Sequence, residues 1–97
     1  MNEVRSIIQK LKAIMPVLSK KYCVKSLEIF GSYVRGSQKE GSDIDILVEF
    51  SDTIDLFEFI ALENYLSDRI GLKVDLVMKD TVKPRIRERI FKEAVPV

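Results

Sequence analysis

Residues 31–50 read GSYVRGSQKEGSDIDILVEF, and two carboxylates, Asp43 and Asp45, open its otherwise apolar second half. Ile44, Ile46, Val48 and Phe50 alternate as in a β-strand over about 43–50, so residues two apart share a face. Asp43 and Asp45 therefore project together and repel. A divalent cation removes that conflict. Magnesium takes one or two carboxylates and completes its shell with water and substrate phosphates. A D-x-D pair by itself equally describes a solvated strand end, but its surroundings add to it. Gly31 and Ser32 close the preceding apolar run, KSLEIF (25–30). Glycine admits close approach of a ligand, and Ser32 can open a helical turn whose free N–H groups favour phosphate. The plainer role of Ser32, a helix N-cap, is compatible with that. Asp75 lies in KVDLV (73–77), with Val74 and Leu76 pointing the other way. If this third strand lies beside the second, Asp75 joins the face of Asp43 and Asp45; otherwise it is an edge-strand aspartate. Three carboxylates around a metal pair suit in-line phosphoryl or nucleotidyl transfer. Asp75 could then ligate the second metal and accept a proton.

The elements that must position these groups follow from periodicity. Val4, Ile7, Ile8, Leu11, Ile14, Met15 and Leu18 predict an N-terminal helix that Pro16 should end, kink or restart. Ser51, Asp52 and Thr53 are expected to cap a helix running to about Arg69, with Leu56, Phe59, Ile60, Leu66 and Ile70 as its apolar positions and Gly71 as its stop. A strand over 72–78 follows. Pro84 opens a last helix, RIRERIFKEA, which Pro96 ends, with Ile86, Ile90 and Phe91 inward. The order is α-β-(turn)-β-α-β-α. It predicts an α/β (α+β) domain with a small mixed sheet packed on helices.

Composition narrows the chemistry. The chain has 97 residues, so one domain over 1–97 is expected. There is no histidine, which removes Ser-His-Asp triads and the common zinc sites. The net charge of +1 and the lack of a basic, aromatic groove argue against direct nucleic-acid binding. No apolar stretch suits a membrane span, and no signal-peptide pattern opens the chain. Cys23 is the only cysteine, so an internal disulfide is impossible and a cytoplasmic setting is expected. Nine acidic residues and no Lys or Arg lie between Glu40 and Asp68, whereas both flanks are basic.

The spacing G-S-x10-D-x-D resembles the signature of the DNA polymerase β-like nucleotidyltransferases. FGSYVRG (30–36), SDIDILVEF (42–50), DLFEFIALENYL (55–66), KVDLV (73–77) and KPRIRERIFKEAVPV (83–97) are similar to one branch, the minimal nucleotidyltransferases or MntA-like antitoxins. The resemblance covers nearly the whole chain. It implies that Gly31 and Ser32 hold the β- and γ-phosphates of an NTP, with Arg35 approaching them. It implies that Asp43 and Asp45 hold Mg2+, and that Asp75 is the third catalytic carboxylate beside a second ion. Val34 stands where the family often has a smaller residue.

A chain this short has little beyond a catalytic core, so a partner is expected to deliver the acceptor. The resemblance supplies one: a HEPN-domain RNase toxin, with AMP passing from ATP to one of its tyrosine hydroxyls. Two alternatives remain open at this point. One is a binding antitoxin that occludes its HEPN partner without catalysis. The other is transfer to a small-molecule hydroxyl. Lys83, Arg85, Arg87, Arg89 and Lys92 form either a solvated helix face or a partner contact.

Overall fold

The computed structural model describes residues 2–97. In chain order these form α1 (Asn2–Tyr22), β1 (Val24–Phe30), α2 (Ser32–Arg35), β2 (Ile44–Phe50), α3 (Leu56–Ile70), β3 (Val74–Met78), a 3-10 turn (Lys79–Thr81), α4 (Pro84–Glu93) and β4 (Val95–Pro96). The strands make one mixed sheet in the order β3-β2-β1-β4. β1 is antiparallel to both β2 and β4, and β2 is parallel to β3. Parallel neighbours need a crossover, and α3 provides it. The expected α+β architecture is present, with the turn at Ser32 formed as α2 and β4 as an addition.

The two sheet faces are covered unequally. Ile44, Ile46 and Val48 join the main core with Leu11, Leu18, Ile29, Leu62 and Leu66, under α1 and α3. Leu47, on the other face, joins Val82 and Ile90 in a small second cluster under α4. Asp43 and Asp45 share the parity of Leu47, so they lie on the thinly covered face.

Five expectations about the helices and the chain's end are corrected. Pro16 neither ends nor restarts α1, which runs to Tyr22. Pro16 and Lys12, whose carbonyl it would crowd, both lie on the exposed side, while Ile7, Leu11, Ile14 and Leu18 anchor the buried stripe. The cap of α3 is Asp55, not Ser51, Asp52 or Thr53. Asp55 accepts from the Glu58 N–H at 2.8 Å, and the Glu58 side chain accepts from the Asp55 N–H at 3.1 Å, a capping box. The buried stripe of α3 is Leu62, Leu66 and Ile70, and Leu56 and Ile60 stand outward. α4 buries Ile90 but not Ile86 or Phe91, and it stops at Glu93. Val95 and Pro96 then pair with Ile29 and Glu28. Proline is tolerated on such an outer strand.

The opposite outer strand, β3, is closed by side chains of α3. Glu63 accepts from the Leu76 N–H at 2.9 Å, and Ser67 accepts from the Val74 N–H at 3.0 Å.

Candidate active site

The site begins where β1 leaves the sheet. Gly31 is buried and has φ 84° and ψ −154°, a backbone that side-chain-bearing residues rarely adopt. A methyl group there would overlap the Asp45 carboxylate and sit 3.0 Å from its Cγ. Glycine is therefore required twice, by conformation and by space. The Gly31 carbonyl accepts from the Val34 and Arg35 N–H groups at 3.1 and 3.2 Å, which starts the single turn of α2 at Ser32. The short helical turn expected at Ser32 is present.

β2 carries Asp45 into the middle of the sheet. In the strand register Asp45 lies opposite Phe30 of β1 on one side and Asp75 of β3 on the other. Asp43 lies just ahead of β2, half-buried like Asp45, and Asp75 is exposed. Burial pushes the Asp45 carboxyl up to about 6 from 3.8. The Asp75 charge, a hydrogen bond with Asp75 and the Asp43 charge push the same way, and only Arg35 opposes them. The sheet thus brings Gly31, Ser32, Arg35, Asp43, Asp45 and Asp75 to one end of β1, β2 and β3.

Crowded carboxylates with one nearby guanidinium fit a hard cation. Among the described residues no three carboxylates or thiols close into a ready metal cage. Magnesium needs one or two protein carboxylates and draws its remaining ligands from water and phosphate. An open cleft of about 780 Å3 lies elsewhere, between the far end of β2 and α4, lined in part by Phe50, Asp52, Asp80, Arg87 and Phe91. None of the expected site residues lines it.

Glu93, the last residue of α4, was not expected at the site. It accepts from the Gly31 N–H at 2.8 Å and from Arg35 Nη1 at 3.0 and 3.2 Å. Burial raises its pKa, but the Gly31 N–H, Arg35 and Arg89 outweigh that and hold the carboxyl below its ordinary value. Its only sequence signal is an acidic residue closing a basic helix, and nothing in that spacing points across 62 residues to Gly31.

Carboxylates beside a glycine turn, on a four-stranded mixed sheet, fit a phosphoryl-transfer class of enzyme. Comparison with known proteins narrows the class. The model of the nucleotidyltransferase domain matches residues 8–97. The protein adenylyltransferase MntA of Thermococcus cleftensis is 44% identical over 97 residues, covering 100% of this chain and 95% of that protein. A solved structure described as a candidate minimal nucleotidyltransferase superposes with a TM-score of 0.79 at 29% identity, over 96% of this chain and 94% of the other. A toxin–antitoxin crystal structure with AMP-PNP contains a chain that superposes at 0.68 and 28% identity, over 99% and 72% of the two chains. The chain belongs to the nucleotidyltransferase domain family, in its MntA-like protein adenylyltransferase branch.

Proposed function

We propose that the chain, acting as one catalytic domain over residues 1–97, is an antitoxin. In this reading it transfers AMP from ATP to a tyrosine hydroxyl of a HEPN-domain RNase toxin. The observation that carries this is the pairing of Asp45 with Asp75 across β2 and β3, with Gly31 packed against the Asp45 carboxylate. The adenylyltransferase relative and the AMP-PNP-bound toxin–antitoxin neighbour support ATP as the donor and a toxin as the acceptor. Cys23 is a free thiol, as suits a reducing cytosol. No helix among the described residues is long and apolar enough to cross a membrane.

In this reading Ser32 donates to the β- and γ-phosphates, Gly31, whose N–H is taken by Glu93, lets them approach the turn closely, and Arg35 adds charge beside them. Asp43 and Asp45 would hold one magnesium ion, and Asp45 and Asp75 a second. The ions supply charge neutralisation on the phosphates and a lower pKa for the attacking hydroxyl. Asp75, the most exposed of the three carboxylates, takes the phenolic proton. The tyrosine oxygen bonds to the α-phosphorus, the bond from that phosphorus to the β-phosphate oxygen breaks, and pyrophosphate leaves. A phenol has a pKa near 10, so it needs this activation at neutral pH. The ester places negative charge near an RNA-cleaving site and repels the RNA backbone.

The test is the mass of the partner after incubation with the chain, ATP and magnesium. A gain of one or more AMP groups on tyrosine, lost with Asp43→Ala/Asp45→Ala, is expected. An unmodified partner that the double variant still neutralises would replace catalysis by occlusion.

A further inference from the structure

Glu93 reaches the phosphate turn from the far end of the chain, and its meaning rests on the nucleotide reading given above. Its side chain is 16% exposed and accepts three hydrogen bonds, one from Gly31 and two from a single Arg35 nitrogen. Arg35 is 52% exposed, and among the described residues its Nη2 and Nε N–H groups have no hydrogen-bond acceptor. Glu93 is anchored on both sides. Before it, Ile90 packs on Leu47 and Val82. After it, Val95 pairs with Ile29, and the Val97 N–H donates to the Leu27 carbonyl at 3.0 Å. A carboxylate fixed this firmly is a poor candidate for displacement by an incoming phosphate. It is well suited to hold a flexible arginine in place.

Without Glu93, Arg35 is left with the pull of the site carboxylates. Arg35 already acts on Asp45. Turned onto Asp43 or Asp45, it would compete with the cation and be lost to the phosphates. We propose that Glu93 is the positioning residue of the phosphate turn. It ties the Gly31 amide and one Arg35 nitrogen to the α4–β4 corner and leaves the rest of the guanidinium for the triphosphate.

The test uses equilibrium binding of AMP-PNP with magnesium to the full chain, and steady-state transfer to the partner. Glu93→Gln keeps an acceptor for the Gly31 N–H but gives up the charge that holds Arg35. Its Kd for AMP-PNP should rise about tenfold, the low end for a hydrogen bond to a charged group. KM for ATP should rise with it, while kcat at saturating ATP stays within about twofold. Arg35→Gln should weaken binding similarly, and Arg35→Gln/Glu93→Gln should bind no worse than the weaker single variant, because both act through one contact. Unchanged binding in Glu93→Gln, losses that add in the double variant, or a fall in kcat instead of a rise in KM would each overturn the proposal. So would a Glu93→Gln chain that fails to fold, since the residue would then support the fold and not the turn. A wild-type chain that binds no AMP-PNP would instead refute the nucleotide reading, and the role of Glu93 with it.

Discussion

Replacing Asp45 by asparagine should stabilise the metal-free chain while ending its proposed activity. The Asp45 carboxyl is raised from 3.8 to about 6, by burial first and then by Asp75 and Asp43. A folded-state pKa above the unfolded value means that the folded chain holds the proton more tightly. Below about pH 3.8 both states are protonated and the site imposes no penalty. Between 3.8 and 6 the unfolded state loses its proton first, so stability falls as pH rises, and above 6 the full penalty is present. A shift of about 2 units corresponds to a ceiling of about 3 kcal/mol. Asp45 is only partly buried, and solvent screening reduces this to about 1 kcal/mol. For a domain of this size that is a rise of roughly 4–8 °C in Tm. Thermal melts of wild type and Asp45→Asn in EDTA, from pH 4 to pH 8, read it directly. The gap should open with rising pH, and magnesium should narrow it by raising the wild type alone. An Asp45→Asn chain that melts at or below wild type at pH 8, or a gap that ignores pH, would refute the argument that the crowded carboxylates oppose folding.

Three further changes follow from single contacts. Gly31→Ala drives a methyl group into Asp45 at positive φ, so it should abolish AMP transfer and cost about 1–3 kcal/mol, read by urea unfolding and by partner mass. Glu63→Ala frees the Leu76 N–H of the outer strand and should cost about 1–3 kcal/mol in the same unfolding assay, with AMP-PNP affinity unchanged. Asp55→Ala removes the capping box of α3 and should cost about 1 kcal/mol, without altering the slope of the urea transition.

Much of the site was legible because its parts are local. Gly31, Ser32, Asp43 and Asp45 sit at the ends of two strands joined by one short connection, and the alternation of Ile44, Ile46 and Val48 fixes which way the aspartates face. Asp75 needed one further fact, that β3 lies beside β2 in parallel, and the register Asp45↔Asp75 provides it. Glu93 was not legible, because hydrogen bonds between residues 62 apart leave no periodic trace. The helix faces failed for a related reason. Leu56, Ile60, Ile86 and Phe91 fit an apolar pattern, but the sheet has room for only one stripe from each helix, and Leu62, Leu66, Ile70 and Ile90 take it. β4 was hidden because a two-residue strand carries no alternation, and its proline suggested only a helix stop.

The corner formed by α4 and β4 ties these observations together. The main core under α1 and α3 takes Ile44, Ile46 and Val48 from one face of β2. On the site face Leu47, Val82 and Ile90, with Phe30, Val77 and Ala94 packed against them, form a small cluster that excludes water. A larger lid there would bury Asp75, which must stay open if a hydroxyl carried by another macromolecule is to reach it. A smaller one would leave Glu93 without the packing at Ile90 and the pairing at Val95 that aim it at Gly31 and Arg35. One ten-residue helix and a two-residue strand therefore meet both demands. In the proposed reaction they would fix the phosphate end of the site and leave the acceptor end open to a partner.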